Sequence, residues 1–379
     1  MDKKNKNPNV PNLRFSSFAD PFRIYTLKEV LQRISFPVTV DENKLYYQIG
    51  IRSHSKGIFY KEAEIGKQIG NKRIFWIEPN CLILNIVFAW EQAVAKTSEK
   101  EVGMVASHRF PMYKVLNNSL DYIVDFFKTE KGKQLLQMAS PGGAGRNKTL
   151  NQDFFLNSKI YLPSLNEQLK TTELIELIED RIETQIKIIN DYKLLKRYIT
   201  KSFIKQKGTS YLLSEIAELG RGRVISSAEI SKQKNPIYPV YSSQTSNNGV
   251  MGYLDNYDYE GEYITWTTDG ANAGTVYYRN GKFNCTNVCG ILKIKNGYDA
   301  YYISNILNCY TKKYVSTNLA NPKLMNNVMA NIKINLPSIE RQKYFSNILK
   351  AIEYRIKIEQ DIKLNLVKQK VFLLKNMFL

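Results

Sequence analysis

Two stretches of this chain carry apolar side chains at alternating spacings of three and four residues, the signature of a helical seam. The first is marked by Ile175, Ile178, Ile182, Ile189, Tyr192, Ile199 and Phe203; the second by Leu349, Ile352, Ile356, Leu366, Leu373 and Met377. Gln185 and Glu359 interrupt the stripe at matching rungs, as do Lys196 and Lys370. Each stretch opens on Leu-Pro-Ser (162–164 and 336–338) followed by a glutamine, Gln168 or Gln342. At this offset, Leu162 to Leu336, about a dozen positions are identical between Ile160–Phe203 and Ile334–Met377. Proline ends a preceding strand and Ser164 or Ser338 supplies a helix N-cap, with Glu167 completing a capping box in the first copy only. Each copy is predicted to be one helix of about 40 residues, about 60 Å long. Neither can bury its stripe alone, so the two are expected to pack together as an antiparallel coiled coil.

The segments before the two helices are α/β in pattern. In the first, Phe75–Trp90 reads as two buried strands around Pro79-Asn80, and Asp121–Gln137 as an amphipathic helix. In the second, YITWTT, TVYYRNGKF and CGILKIK read as strands separated by Asp-Gly and Asn-Gly turns, with a helix over Asp299–Lys312. Leu27-Lys28-Glu29-Val30 opens one block and Leu213-Ser214-Glu215-Ile216 the other. The expected organisation is a first α/β domain over 1–159 (with a lead-in, 1–26), a central helix over 160–207, a second domain over 208–333 and a C-terminal helix over 334–379.

The formal charge of +19 changes the picture, because such an excess suits a polyanionic partner. Residues 165–206 carry 8 basic and 7 acidic side chains, so the surplus lies mainly outside the first helix. The sequence shows neither a signal segment nor an apolar run of membrane length, which points to a cytoplasmic protein with no membrane partner. Cys81, Cys285, Cys289 and Cys309 read as free thiols; Cys285 and Cys289 have the wrong spacing for a usual zinc knuckle, and no metal site is expected.

Candidate DNA-binding residues fall in polar loops. Tyr47–Gly57, with Arg52, Ser53, His54 and Lys56, lines up with Pro239–Gly249, which carries Ser243, Gln244, Asn247 and Asn248; both close on glycine at corresponding places. Arginine, asparagine and glutamine are side chains that read base edges. Arg221 and Arg223, in a Gly-Arg-Gly-Arg run, are candidates for phosphate or base, and Thr267, Thr268 and Asn272 form a further candidate loop beside Trp266, itself a candidate core residue. Pro141–Thr149 superficially suggests a phosphate loop, but Asn147 stands where the nucleotide-binding pattern needs glycine before Lys-Thr. Arg146 and Lys148 in that loop are instead candidates for DNA phosphate. No catalytic residue is expected: a glycine-rich cofactor loop, an Asn/Asp-Pro-Pro-aromatic motif, a convincing carboxylate-lysine nuclease set and a Ser/His/Asp arrangement are all missing from the sequence.

In Pro11-Asn-Leu-Arg-Phe15, Leu27-x-Glu-Val, the duplicated Leu-Pro-Ser-x-x-x-Gln and the loops Gly145–Ile160 and Leu319–Ile334, the chain resembles the DNA specificity (S) subunit of type I restriction–modification systems. The resemblance covers nearly the whole chain. It implies two α/β target recognition domains, each reading half of an interrupted duplex site, with the two conserved helices as a ruler in a pseudo-twofold tandem repeat. It also implies a non-catalytic chain serving two modification subunits, which bring S-adenosylmethionine and the adenine-methylating site, and restriction subunits that use ATP and Mg. The other readings are a single-chain DNA methyltransferase or endonuclease with its own recognition domains, which the missing motifs disfavour, and an RNA-binding structural protein stacking bases on its 25 Tyr and 17 Phe.

Overall fold

A computed structural model describes residues 9–142, 148–316 and 321–379. The chain forms two compact units, one of Met1–Gln185 with Ile362–Leu379, the other of Ile186–Asp361. The first long helix spans Leu165–Ile204 and the second Ile339–Met377, so each contributes to both units.

The first unit is built on a four-stranded antiparallel sheet in which Met112–Val115 lies between Leu31–Ile34 and Leu82–Leu84, and Val94–Lys96 forms the other edge. Its core packs Leu82, Leu84, Tyr113, Tyr122 and Phe127 with Met377 and Phe378 of the second long helix and its end. Strands appear on both sides of Pro79-Asn80 as the pattern predicts, at Ile74–Trp76 and Leu82–Leu84, but they join different sheets. The predicted helix Asp121–Gln137 is two helices, Leu120–Lys128 and Glu130–Met138. Thr129 breaks it because its backbone is extended and its hydroxyl accepts from Gly132 N at 3.1 Å, capping the second helix.

The second unit holds a six-stranded sheet around the long strands Tyr259–Thr267 and Val276–Cys285, flanked by Cys289–Ile294 and the Tyr238–Leu254 hairpin. The Asn280-Gly281 pair lies inside the strand Val276–Cys285, within the run read as a strand from the sequence. Gly281 there faces Gly261, and both have positive φ (104° and 108°), a local kink that two glycines accommodate without side-chain clash. The helix expected over Asp299–Lys312 runs over Ala300–Tyr310 with Asp299 as its N-cap.

Inside each unit the two long helices run antiparallel. In the first, Glu179 pairs with Lys370 and Leu174 shares a cluster with Leu373 and Leu374. In the second, Lys196 pairs with Glu353, and Phe203 stacks on Phe345 with ring centroids 3.7 Å apart. The seam residues named from periodicity are buried or half-buried in the structure.

The duplicated motifs do duplicated work. Gln168 is buried, accepts from Ser119 N at 2.9 Å and donates to Pro163 O at 3.0 Å; Gln342 accepts from Asp299 N at 3.0 Å and donates to Pro337 O at 2.8 Å. Ser119 and Asp299 are the N-caps of helices in their domains, so each glutamine ties a domain helix to the start of a long helix. The strands Arg23–Thr26 and Thr209–Leu212 likewise pair antiparallel with Lys159–Leu162 and Lys333–Leu336, which lead into the long helices. The expected capping box at Ser164 is formed on one side only. Ser164 accepts from Glu167 N at 3.4 Å, but the Glu167 carboxylate takes two 2.7 Å bonds from Arg14 of the Pro11–Phe15 motif.

Candidate nucleic-acid interface

The two loops aligned from the sequence are both β-hairpin tips. In the first unit Ile49–Ile51 and Ile58–Tyr60 pair antiparallel, and Arg52 N bonds Gly57 O at 3.0 Å to close the tip. In the second unit Tyr238–Tyr241 pairs with Val250–Leu254, and Ser242 N bonds Gly249 O at 2.9 Å. Each tip contains two successive non-glycine residues in the left-handed region: His54 (φ 59°) and Ser55 (φ 53°), then Asn247 (φ 47°) and Asn248 (φ 53°). Such conformations cost free energy for most L-residues, least for asparagine, and persist where surrounding contacts fix them.

Those contacts are visible at both tips. His54 N and Ser55 N donate to Glu91 O and Gln92 O at 2.6 and 2.9 Å, and Ser53 Oγ donates to Glu91 Oε2 at 2.9 Å. Tyr60 at the foot of that hairpin donates to Glu101 at 2.6 Å. Arg52, His54 and Lys56 are left exposed, with the Arg52 guanidinium 5.3 Å from the Phe59 ring centre. This tip borders a cleft of about 770 Å³ that is also lined by Glu176, Glu179 and Glu183 of the first long helix and by Lys128 and Lys370. At the second tip Asn247 and Asn248 are exposed, Ser243 is half-buried, and the Gln244 amide donates back to Val250 O. Gln244 therefore serves its own hairpin, and the asparagines are the outward-facing pair.

The other candidates separate into available and engaged groups. Lys148 is half-buried with its ammonium 5.0 Å from the Trp90 ring centre, whereas Arg146 lies outside the described residues. Arg221 is exposed and donates to Asn326 Oδ1 at 3.2 Å. Arg223 is fully engaged: Glu229 accepts from it at 2.7 and 3.2 Å, and Asp258 at 3.1 Å. The Arg223 hydrogen bond holds the Glu229 carboxyl below its ordinary pKa, so this charge is compensated within the protein. Thr267 and Thr268 are buried at 1% and 0% exposure: Thr267 ends the strand Tyr259–Thr267, and Thr268 follows it with its N–H bonded to Val288 O at 3.2 Å. Trp266 is core, its indole donating to Leu324 O at 3.0 Å. Of the Trp266–Asn272 candidates only Asn272 is exposed, so the two threonines cannot touch DNA in this conformation.

One residue beside the second tip was not legible in the sequence. Arg279 lies at 4% exposure, and its Nη2 donates to Asn248 O at 2.9 Å. Its strand run Tyr277-Tyr278-Arg279 lacks the polar–apolar alternation that marks which side chain points inward. Among the described residues no group of three His, Cys, Asp or Glu side chains could hold a metal ion, and no helix is long and apolar enough to cross a membrane. Cys81, Cys285, Cys289 and Cys309 are all free thiols, as their spacing predicts.

Comparison with known proteins gives one consistent answer. Residues 208–369 match the family model described as the type I restriction modification DNA specificity domain. A type I specificity subunit of Mycoplasma pneumoniae is 37% identical over 199 residues, covering 51% of this chain and 82% of its own. The MpnII type I restriction enzyme specificity subunit of the same organism is 42% identical over 146 residues, 38% of this chain and 43% of its own. Among solved structures, the S subunit of a type I restriction–modification system from M. genitalium aligns over 98% of this chain and 99% of its own, with a TM-score of 0.60 at 14% identity. A structure from a study of type I system assembly and conformational transition aligns over 93% and 96%, with a TM-score of 0.63 at 14% identity. Two α/β units joined to a duplicated helix pair, and a relative 37% identical of which this chain covers 82%, lead to the same conclusion: this chain belongs to the DNA specificity subunits of type I restriction–modification systems.

Proposed function

We propose that this chain reads an interrupted, asymmetric duplex DNA site, one half with each α/β domain, and directs adenine methylation and restriction by partner subunits without catalysing either. The observation that carries this reading is the pair of hairpin tips. One backbone device, a glycine-closed tip with two left-handed residues, is built twice from unlike side chains: Arg52, His54 and Lys56 in one, Asn247 and Asn248 in the other. The tips differ in length, but two tips that share these features and carry different chemistry suit two readers of different half-sites. Arginine matches guanine and asparagine matches adenine in the major groove, while Lys148 and Arg221 are placed among the candidates for phosphate, which positions rather than specifies.

The same reading assigns the chemistry elsewhere. A methylated adenine has to leave the base stack to react, and the chain's sequence lacks a cofactor motif for that step. We assign S-adenosylmethionine to two modification subunits, and ATP and Mg to restriction subunits, acting with this chain in the cytoplasm.

The test uses the full chain with its modification subunit and sequencing of DNA selected from a pool of randomised duplexes. Arg52→Ala with Lys56→Ala is expected to weaken preference at one half-site, and Asn247→Ala at the other, by about 1–3 kcal/mol per lost base contact. Unchanged preferences in all of these variants would refute the hairpin assignment.

A further inference from the structure

The second hairpin tip rests on a buried cation. The Arg279 guanidinium is centred 3.5 Å from the Tyr241 ring centre and 4.4 Å from that of Tyr277, so aromatic rings pack against it. Its Nε donates to Thr265 Oγ1 at 3.2 Å on the neighbouring strand, and its Nη2 reaches out to the Asn248 carbonyl at 2.9 Å. Tyr241 is the last residue of the strand that enters the tip, and Asn248 is the second of the two left-handed residues. One side chain therefore touches the strand before the tip and the tip itself. The fit is close: a Cβ on Gly249, where φ is +83°, would lie 3.0 Å from Arg279 Nη2.

We infer that Arg279 is a specificity-positioning residue: it holds the Asn247–Asn248 tip in its left-handed shape, so that both asparagine side chains are presented outward in one orientation. This rests on the hairpin reading proposed above and goes beyond it by naming a residue that touches no DNA. The chemistry requires arginine. A planar guanidinium can lie against aromatic faces while its edge donates in two directions, whereas a lysine ammonium is a point charge on a flexible stem. Losing the bond to Asn248 O frees a tip whose two left-handed residues have an intrinsic preference for other conformations. The expected consequence is loss of base discrimination with the fold retained.

The experiment compares Arg279→Lys, Asn247→Ala and the double variant of the full chain, each with its modification subunit, on a pool of randomised duplex DNA. Sequencing the bound fraction reports both half-site preferences for every variant. Arg279→Lys is expected to flatten the half-site that Asn247→Ala flattens, by about tenfold, the scale of one base contact. The other half-site should stay sharp. The double variant should lose little more than the more affected single variant, because both changes act through one tip. Tyr277→Leu, which removes one ring and leaves the Asn248 bond, should shift the same half-site in the same direction by less, and covers the case that Arg279→Lys fails to fold. If Asn247→Ala flattens a half-site while Arg279→Lys and Tyr277→Leu leave it sharp, the positioning role is overturned. Equal losses at both half-sites, or fully additive losses in the double variant, overturn it as well. Sharp half-sites in Asn247→Ala would instead bring down the hairpin reading, and this inference with it.

Discussion

Lys196 of the first long helix forms an ion pair with Glu353 of the second, and the repeat counterparts of these two residues, Lys370 and Glu179, form another. The same contact is thus made once in each unit with the donor and acceptor helices exchanged, as a pseudo-twofold repeat of antiparallel helices requires. The lysine breaks in the apolar seam, Lys196 and Lys370, are therefore interhelical contacts, a use of polar seam positions that sets register more than stability.

Charge reversal tests this. Lys196→Glu should lower the stability of the full chain by about 0.2–1 kcal/mol, the scale of partly exposed pairs, and adding Glu353→Lys should restore it. The corresponding exchange of Glu179 and Lys370 should restore less, because Lys128 also lies 3.6 Å from Glu179 and would then face a lysine. Urea unfolding of the single and paired variants measures both. Equal recovery in the two cycles would contradict the role given to Lys128.

The buried glutamines make a second prediction. Gln168→Leu strands the Ser119 N–H and the Pro163 carbonyl, and should cost about 1–3 kcal/mol. Gln342→Leu should cost a similar amount through Asp299 N and Pro337 O. Hydrogen exchange should show faster opening of the Leu120–Lys128 helix in the first variant and of the Ala300–Tyr310 helix in the second. Exchange unchanged at both helices would remove the glutamines from this role.

Acid should act on the first unit through Glu179. Burial works to raise its carboxyl, but Lys370 and Lys128 outweigh that and hold it below its ordinary pKa. Its folded value thus lies below its unfolded value. The stability it supplies is complete above the unfolded carboxylate pKa and is lost as pH falls through the folded one. Nearby Asp125 has the opposite sign, because burial raises its carboxyl despite Lys128, so its protonation partly offsets the loss. Glu179→Gln should therefore be less stable than the natural chain at neutral pH, and the difference should shrink on acidification. Unfolding free energies across a pH series check this; a constant difference would contradict it.

The helix seam and the paired tips were legible in the sequence because each is a local pattern: a period of three and four in one case, a polar loop closing on glycine in the other. Partners distant along the chain were not. Arg223 looks available in its Gly-Arg-Gly-Arg run, yet Asp258, which accepts from it, stands 35 residues away. Thr267 and Thr268 read as a polar loop, whereas the strand from Tyr259 runs on through Thr267 and both threonines are buried. Arg14 gave no sign that it would take the Glu167 carboxylate from the capping box, a contact 153 residues apart in sequence. Breaking it by Arg14→Met should cost about 3–5 kcal/mol, since it leaves a buried carboxylate unpaired.

The proposed ruler also yields a prediction. An insertion at Ile204 lies beyond Phe203, which is already stacked on Phe345, so the second unit's own packing would absorb it. The informative insertions fall at the boundary between units, after Gln185 in one helix and after Asp361 in the other. One heptad added to both keeps the apolar seam in register and lengthens the pair by about 10 Å. The gap between half-sites should widen by about three base pairs, with both half-site sequences unchanged. A gap of the original length at full activity would show that the helices do not set spacing.

Mapping methyladenine across the genome of cells that carry this chain with its modification subunit tests whether one chain carries two unlike readers for one interrupted site. The expected result is a single asymmetric motif of two different half-sites separated by an unread gap, absent when the chain is omitted. An uninterrupted motif, two identical half-sites, or the same methylation without the chain would contradict it.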